Sequence, residues 1–197
     1  MANDPDWGTR EYAAKVWSVI LTGDFENAYN WTKKLVEIGS IKTKRAIALA
    51  AKYSLLERIP NREIKLLELL EPLLSEKEVY IRKNLGPFSL AAFLRAFPKI
   101  TLPRLKEWAK KDNEQIRWNV AKTFASSGGS MHWPLGKDIL FQLAVDERRY
   151  VWKAVSSALH YLGRNKPEKI IPLLNEWLVD PIRKKVAEDA LNYILKE

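Results

Sequence analysis

Apolar residues recur with helical spacing along nearly the whole chain. Tyr12, Val16 and Val19 follow this three-to-four-residue spacing, as do Ile64 and Leu67. The alternation of apolar and polar residues that is typical of half-buried strands is missing. Glycine and proline fall between the apolar runs, where helices are expected to begin and end, at Gly23, Gly39, Pro60, Pro98, Gly128, Gly129 and Gly163. The pattern therefore predicts an all-α protein.

Apolar positions also repeat at intervals of 35 residues. Three columns show this period: Ile81, Ile116, Val151 and Val186; then Leu85, Val120, Val155 and Ala190; then Leu73, Trp108, Leu143 and Leu178. One period accommodates a first helix, a turn and a second helix, such as Pro103–Lys111 with Glu114–Ser126, or Asp138–Val145 with Arg149–Gly163. Because a pair of this size cannot bury its apolar face alone, we expect consecutive pairs to stack and share one core.

These repeats are typical of a HEAT-like helical-repeat solenoid, which is the fold that we predict. A single domain is expected over residues 1–197. Residues 1–60 form its atypical N-terminal capping helices, and residues 61–197 form four regular helix-pair repeats. The second helix of each pair usually lines the concave face of such a stack. Gly128–Pro134 is predicted to be the longest irregular segment.

Composition excludes several classes of function. No apolar run reaches 18 residues, so a membrane span is not expected. The acidic N-terminus lacks the apolar stretch of a signal peptide, and we expect a cytoplasmic protein. There is no cysteine and there are two histidines, so neither a metal site nor a cofactor is predicted.

Positive charge is the first indication of a function. The chain carries a net charge of +9, which favours polyanionic partners. Basic and aromatic residues follow the Ile81 column at the same phase of successive repeats, so stacking would align them as a stripe. The candidate DNA-binding residues are Arg82, Lys83, Arg117, Trp118, Lys122, Arg148, Arg149, Trp152 and Lys153. Alternatively, these residues form a solvated face on which Trp118 and Trp152 fill gaps between repeats. Trp108 and Trp177 are expected in the core.

Several segments carry a resemblance to a known family: Phe93–Pro98, Leu105–Ala109, Asp112–Arg117, Tyr150–Val155 and Asn165–Glu168. With them, the stretch Leu85–Glu197 resembles the C-terminal portion of AlkD-type DNA alkylation repair proteins. Ser126–Gly129 with Trp133 and Pro134 is similar to the related AlkC-type proteins. The resemblance implies a solenoid that holds duplex DNA in a basic groove and excises alkylated purines. The family's cluster of tryptophan and aspartate has no counterpart in Tyr80–Leu85, so no catalytic residue is assigned.

Together these features predict a protein that grips the backbone of duplex DNA, and they leave open whether it is a DNA glycosylase. The alternative is a non-catalytic scaffold for protein–protein interaction. A scaffold would more often present a mixed-sign or apolar groove, whereas DNA binding requires a basic one.

Overall fold

The computed structural model describes residues 1–55 and 61–195. Its helices are α1 Trp7–Gly23, α2 Phe25–Ile38, α3 Ile41–Ser54, α4 Arg62–Leu70, α5 Val79–Asn84, α6 Ala91–Ala96, α7 Pro98–Lys110, α8 Glu114–Thr123, α9 Ser127–Met131, α10 Trp133–Ala144, α11 Arg149–Asn165, α12 Pro167–Trp177 and α13 Lys184–Ile194. A 3₁₀ helix, Glu71–Ser75, extends α4, and a π-helical segment, Leu85–Leu90, joins α5 to α6. These residues contain no strand, which confirms the all-α prediction. The predicted boundary at Pro60 lies outside them.

Most of the helices are arranged in two rows; α1 packs mainly on α3, and the short α9 packs mainly on α6. One row, which we call the second-helix row, consists of α3, α5, the π-helical segment, α6, α8, α11 and α13. Within this row, α3 packs on α5 and on the π-helical segment, and the π-helical segment packs on α8. Helix α11 packs on both α8 and α13. The other, the first-helix row, consists of α2, α4, the 3₁₀ helix, α7, α10 and α12. Its members pack on the second-helix row, as α7 does on α8 and α12 on α13. The chain is therefore an all-α repeat solenoid.

The three apolar columns lie in one continuous core that joins the two rows. All members of the Leu85 and Ile81 columns are buried. In the third column Leu73, Trp108 and Leu143 are buried, and Leu178 is partly buried. Trp177 is also buried, as expected. The 35-residue register is thus confirmed.

Two features of the predicted helix boundaries are wrong. The first helices begin earlier than predicted, α7 at Pro98 and α10 at Trp133. Gly128–Pro134, predicted to be irregular, is helical apart from a break at His132. The two glycines allow close helix packing instead of forming a loop. A Cβ atom on Gly128 would lie 2.7 Å from the Ala91 carbonyl oxygen, and one on Gly129 would lie 2.2 Å from that of Phe124.

No helix within residues 1–55 and 61–195 combines the length and the apolar character needed to cross a membrane. The same part of the chain contains no group of three or more histidine, cysteine or acidic side chains positioned to hold a metal ion.

Candidate nucleic-acid interface

Polar and aromatic contacts connect successive second helices at intervals close to the repeat period. The Tyr150 hydroxyl donates a hydrogen bond of 3.1 Å to Oε1 of Gln115. Trp118 stacks on Tyr150 with ring centroids 5.5 Å apart and planes inclined by 11°. Lys122 Nζ lies 2.7 Å from Ser157 Oγ, to which it donates. Because equivalent helices pack side by side, residues one period apart meet, and these contacts align the candidate residues across α8 and α11.

Arg82 completes this stack. Its guanidinium lies 5.6 Å from the Trp118 ring centroid and 5.2 Å from that of Tyr150, and it donates a hydrogen bond to the Tyr150 hydroxyl. The side chain is half-buried. The aromatic faces stabilise the cation without cancelling its charge, since no described carboxylate forms an ion pair with it. Arg82 therefore remains a positive group in a fixed position.

Arg117 and Arg148 converge on one buried carboxylate, Asp146, in the turn before α11. Arg117 Nη1 and Arg148 Nη2 each lie 2.7 Å from Asp146 Oδ2, and Arg148 Nε lies 2.9 Å from Oδ1. Arg148 also pairs with the exposed Asp112 at 3.0 Å. Burial alone would raise the pKa of Asp146, but the hydrogen bonds from both arginines outweigh it and hold that pKa far below its ordinary value. These two arginines tie neighbouring repeats together.

Lys153 and Trp152 lie where α11 meets α13. Lys153 forms an ion pair with Asp189, which also accepts a 2.5 Å hydrogen bond from the Ser156 hydroxyl. Lys153 Nζ and Lys185 Nζ lie 5.3 Å and 5.7 Å from the Trp152 ring centroid. Trp152 is half-buried and packs against the core, as expected if it fills a gap between repeats. Its ring also lies close to two cations.

The remaining candidates are less constrained. Lys83 and Arg149 are exposed and have no hydrogen-bonding or charged partner in the described part of the chain. Lys122 is half-buried, and burial lowers the pKa of its amine. The structure thus places three of the nine candidates in ion pairs, Arg117 and Arg148 with Asp146 and Lys153 with Asp189. The other six lie on the surface or at helix contacts of the second-helix row.

Sequence reasoning missed a group around Lys52 on α3. Lys52, Phe88 and Arg95 line a surface depression between α3, the π-helical segment and α6. One signal was available, because Lys52 precedes Lys122 by two whole repeat periods. It was overlooked because α3 falls within residues 1–60, which were treated as a capping region outside the repeat.

The two rows differ in charge. The second-helix row contains fourteen lysines and arginines against three acidic residues, whereas the first-helix row contains ten against nine. On the second-helix row, eight cations form no ion pair with a described carboxylate: Lys42, Lys52, Arg82, Lys83, Arg95, Lys122, Arg149 and Lys185. Glu114 is the one acid of that row without such a pair among the described residues. Among the described residues, the first-helix row has seven such unpaired cations but also five unpaired acids, so the net unpaired charge is more positive on the second-helix row.

Neither a protein-family model nor a curated protein matches the chain. Three solved structures are similar to it. An engineered protein of the Northeast Structural Genomics Consortium shares 18% identity at a TM-score of 0.41, covering 99% of this chain and 96% of its own. A designed armadillo repeat protein in complex with a (KR)4 peptide is 19% identical to this chain at a TM-score of 0.43. The match covers 98% of this chain and 96% of the designed protein. A second designed armadillo repeat protein is 20% identical at a TM-score of 0.40, and the match covers 98% of this chain and 96% of that protein. At these identities the likeness concerns the fold alone.

Proposed function

We propose that the second-helix row binds the phosphate backbone of duplex DNA. The observation that carries this proposal is the charge difference between the rows, because both are built from the same repeats and belong to one core. Lysine and arginine side chains that neutralise phosphates release condensed counterions, and this release drives binding without regard to sequence. Among the described residues, this row has eight cations and one acid without an ion pair, which is the charge that such a partner requires.

The candidates take different parts in this proposal. Lys83 and Arg149 are exposed and unpaired, so they are the direct phosphate contacts. Arg82 and Lys122 are held by neighbouring side chains, and the entropy cost of ordering them on DNA is therefore smaller. Arg117 and Arg148 act indirectly by fixing the turn that carries Arg149.

The proposal includes no base-excision step. Such chemistry needs a carboxylate that stabilises positive charge on the sugar as the base departs. The three acids that contact candidate residues are already ion-paired, Asp112 and Asp146 to arginine and Asp189 to lysine. We therefore expect methylated duplex DNA to be bound without release of 7-methylguanine. Measuring released base after incubation with the purified protein tests this, and release well above the spontaneous rate would contradict it.

A salt titration of duplex binding tests the proposal itself. Backbone binding predicts that log affinity falls linearly with log salt concentration, by about 0.9 per phosphate contacted, so that five contacts give a slope of about −4.5. Duplexes of unrelated sequence should give the same slope. A flexible acidic peptide serves as the comparison ligand. No duplex binding at low salt, together with tight peptide binding, would overturn the proposal in favour of a protein-interaction scaffold.

A further inference from the structure

A depression of about 180 Å³ opens beside the second-helix row, where α3, the π-helical segment, α6 and the start of α9 meet. We call it the Phe88 pocket. It is lined by Lys52, Pro87, Phe88, Ala91, Ala92, Arg95, Ser126 and Ser127. These residues supply a flat aromatic ring, two cations and two hydroxyl groups, and none of them is acidic.

The π-helical segment explains why Phe88 faces solvent. The positions one and two periods later, Thr123 and Ala158, are fully buried, whereas Phe88 is 52% exposed. A π-helical turn contains one extra residue, which displaces a side chain from its repeat position. Two neighbours favour this turn, since Pro87 cannot donate a backbone hydrogen bond and Gly86 packs closely on α8. The interruption thus presents an aromatic ring that the regular repeat would have buried.

Lys52 and Arg95, the two cations of the pocket, lie close enough to influence each other. Lys52 Nζ lies between two aromatic rings, 5.3 Å from the centroid of Tyr53 and 5.4 Å from that of Phe88. Burial lowers the pKa of Lys52; Glu11 opposes this effect, and the positive charge of Arg95 adds to it. Neither cation forms an ion pair with a described carboxylate. An anion entering the pocket would therefore meet two positive groups whose mutual repulsion it relieves.

We infer that the Phe88 pocket binds a single unstacked nucleotide of bound DNA, with its base on the Phe88 ring and its phosphate between Lys52 and Arg95. A nucleotide unit matches this arrangement because it combines a flat ring with an anion, and every base has a face that stacks on an aromatic side chain. This inference rests on the proposed function, since the unpaired cations of the same row hold the surrounding duplex.

Three duplexes of equal length test the inference: one fully paired, one with a single-nucleotide bulge, and one with a bulge that lacks its base. We expect the wild-type protein to bind the bulged duplex about tenfold more tightly than the paired one, and the bulge without a base, which keeps only the phosphate contact, to lose most of that preference. Phe88→Ala should remove this preference and leave the affinity for paired duplex unchanged. Phe88→Tyr should retain it, and Tyr12→Ala, which removes an exposed aromatic ring of α1, serves as the matched control.

The outcomes separate this inference from the proposed function. Equal affinities for paired and bulged duplexes would overturn the pocket assignment and leave backbone binding in place. A bulge preference that survives Phe88→Ala, or that is shown undiminished by the bulge without a base, would overturn it as well. Failure to bind any of the three duplexes would overturn the proposed function, and the inference with it.

Discussion

The first-helix and second-helix rows bury their apolar columns equally well, yet they present different surfaces. On the first-helix row, acidic and basic residues nearly balance. On the second-helix row, cations predominate, and aromatic rings and hydroxyl groups join them across repeats, as in the contacts of Arg82, Trp118 and Tyr150. The difference shows that one repeat period serves two purposes. Its apolar positions specify the stack, while its exposed positions diverge between the rows according to what each row contacts.

The largest effect is expected where the rows are alike, in the shared core. Val120 on α8 is fully buried, and Val120→Asp would place an unpaired charge there at a cost of about 5 kcal/mol, comparable with the whole stability of a domain. Chemical denaturation and circular dichroism should show an unfolded array. Leu135→Asp on α10 is the control, because that side chain is 66% exposed. A folded Val120→Asp protein would refute the register that joins the rows.

The next effect should be confined to the second-helix row. Asp146→Ala removes the acceptor shared by Arg117 and Arg148, and we expect a loss of about 2 kcal/mol, since the arginines keep partial access to water. DNA affinity should fall, because the two arginines no longer fix the turn that carries Arg149. Asp112→Ala, at an exposed carboxylate, should change stability by less than about 0.5 kcal/mol. Equal losses for the two variants would contradict the central role of Asp146.

Lowering the pH should destabilise the protein through the Asp146 carboxylate. The pKa of Asp146 is lower in the folded protein than in the unfolded chain, so its stabilising contribution is complete above about pH 4 and is lost as the pH falls towards the folded value. Thermal unfolding of wild type and Asp146→Ala, measured from pH 7 to pH 2, should therefore converge below about pH 4. A difference that stays constant across this range would show that Asp146 is not the titrating group.

Trp118 separates stability from binding on the second-helix row. Trp118→Ala removes the stacking on Tyr150 and the cation–π contact with Arg82, and we expect a loss of about 1–2 kcal/mol in the free energy of unfolding. Trp118→Phe keeps an aromatic face and should therefore retain most of the stability that Trp118→Ala loses. DNA affinity is measured in parallel. If neither quantity changes in Trp118→Ala, the stack is not a functional or structural part of this row.

The smallest stability effect is expected at Lys122. Burial disfavours its charged form, as its lowered pKa indicates, so Lys122→Met should change the free energy of unfolding by no more than about 0.5 kcal/mol. Duplex affinity should nevertheless fall, because a cation of the second-helix row, where we propose that DNA binds, is lost. A large loss of stability with unchanged affinity would assign Lys122 to the core instead of the interface.

Burial was the part of the structure that the sequence predicted best. The columns of Ile81 and Leu85 could be read from the period because burial selects apolar side chains at every equivalent position. Trp108 was predicted correctly for the same reason. The helical conformation of Gly128 and Gly129 could not be predicted, since it depends on backbone atoms of Ala91 and Phe124 that pack against them.

The candidate site was less accessible to such reasoning. Periodicity places Arg117 at the same phase as Arg82, but it does not show that Arg117 is committed to Asp146 while Arg82 lies over aromatic rings. These partners depend on how the turn before α11 folds against α8. The Phe88 pocket was missed because it arises from a π-helical interruption of the repeat, and a method based on period cannot detect a departure from it.

A matched pair of charge reversals tests the central claim most directly. One variant combines Lys83→Glu with Arg149→Glu on the second-helix row, and the other combines Lys106→Glu with Lys137→Glu on the first-helix row. All four side chains are exposed, so both variants should fold and carry the same net charge. At low salt, the first should bind paired duplex DNA about a hundredfold more weakly than wild type, and the second within about threefold of it. Equal weakening by the two variants would contradict a binding surface on the second-helix row.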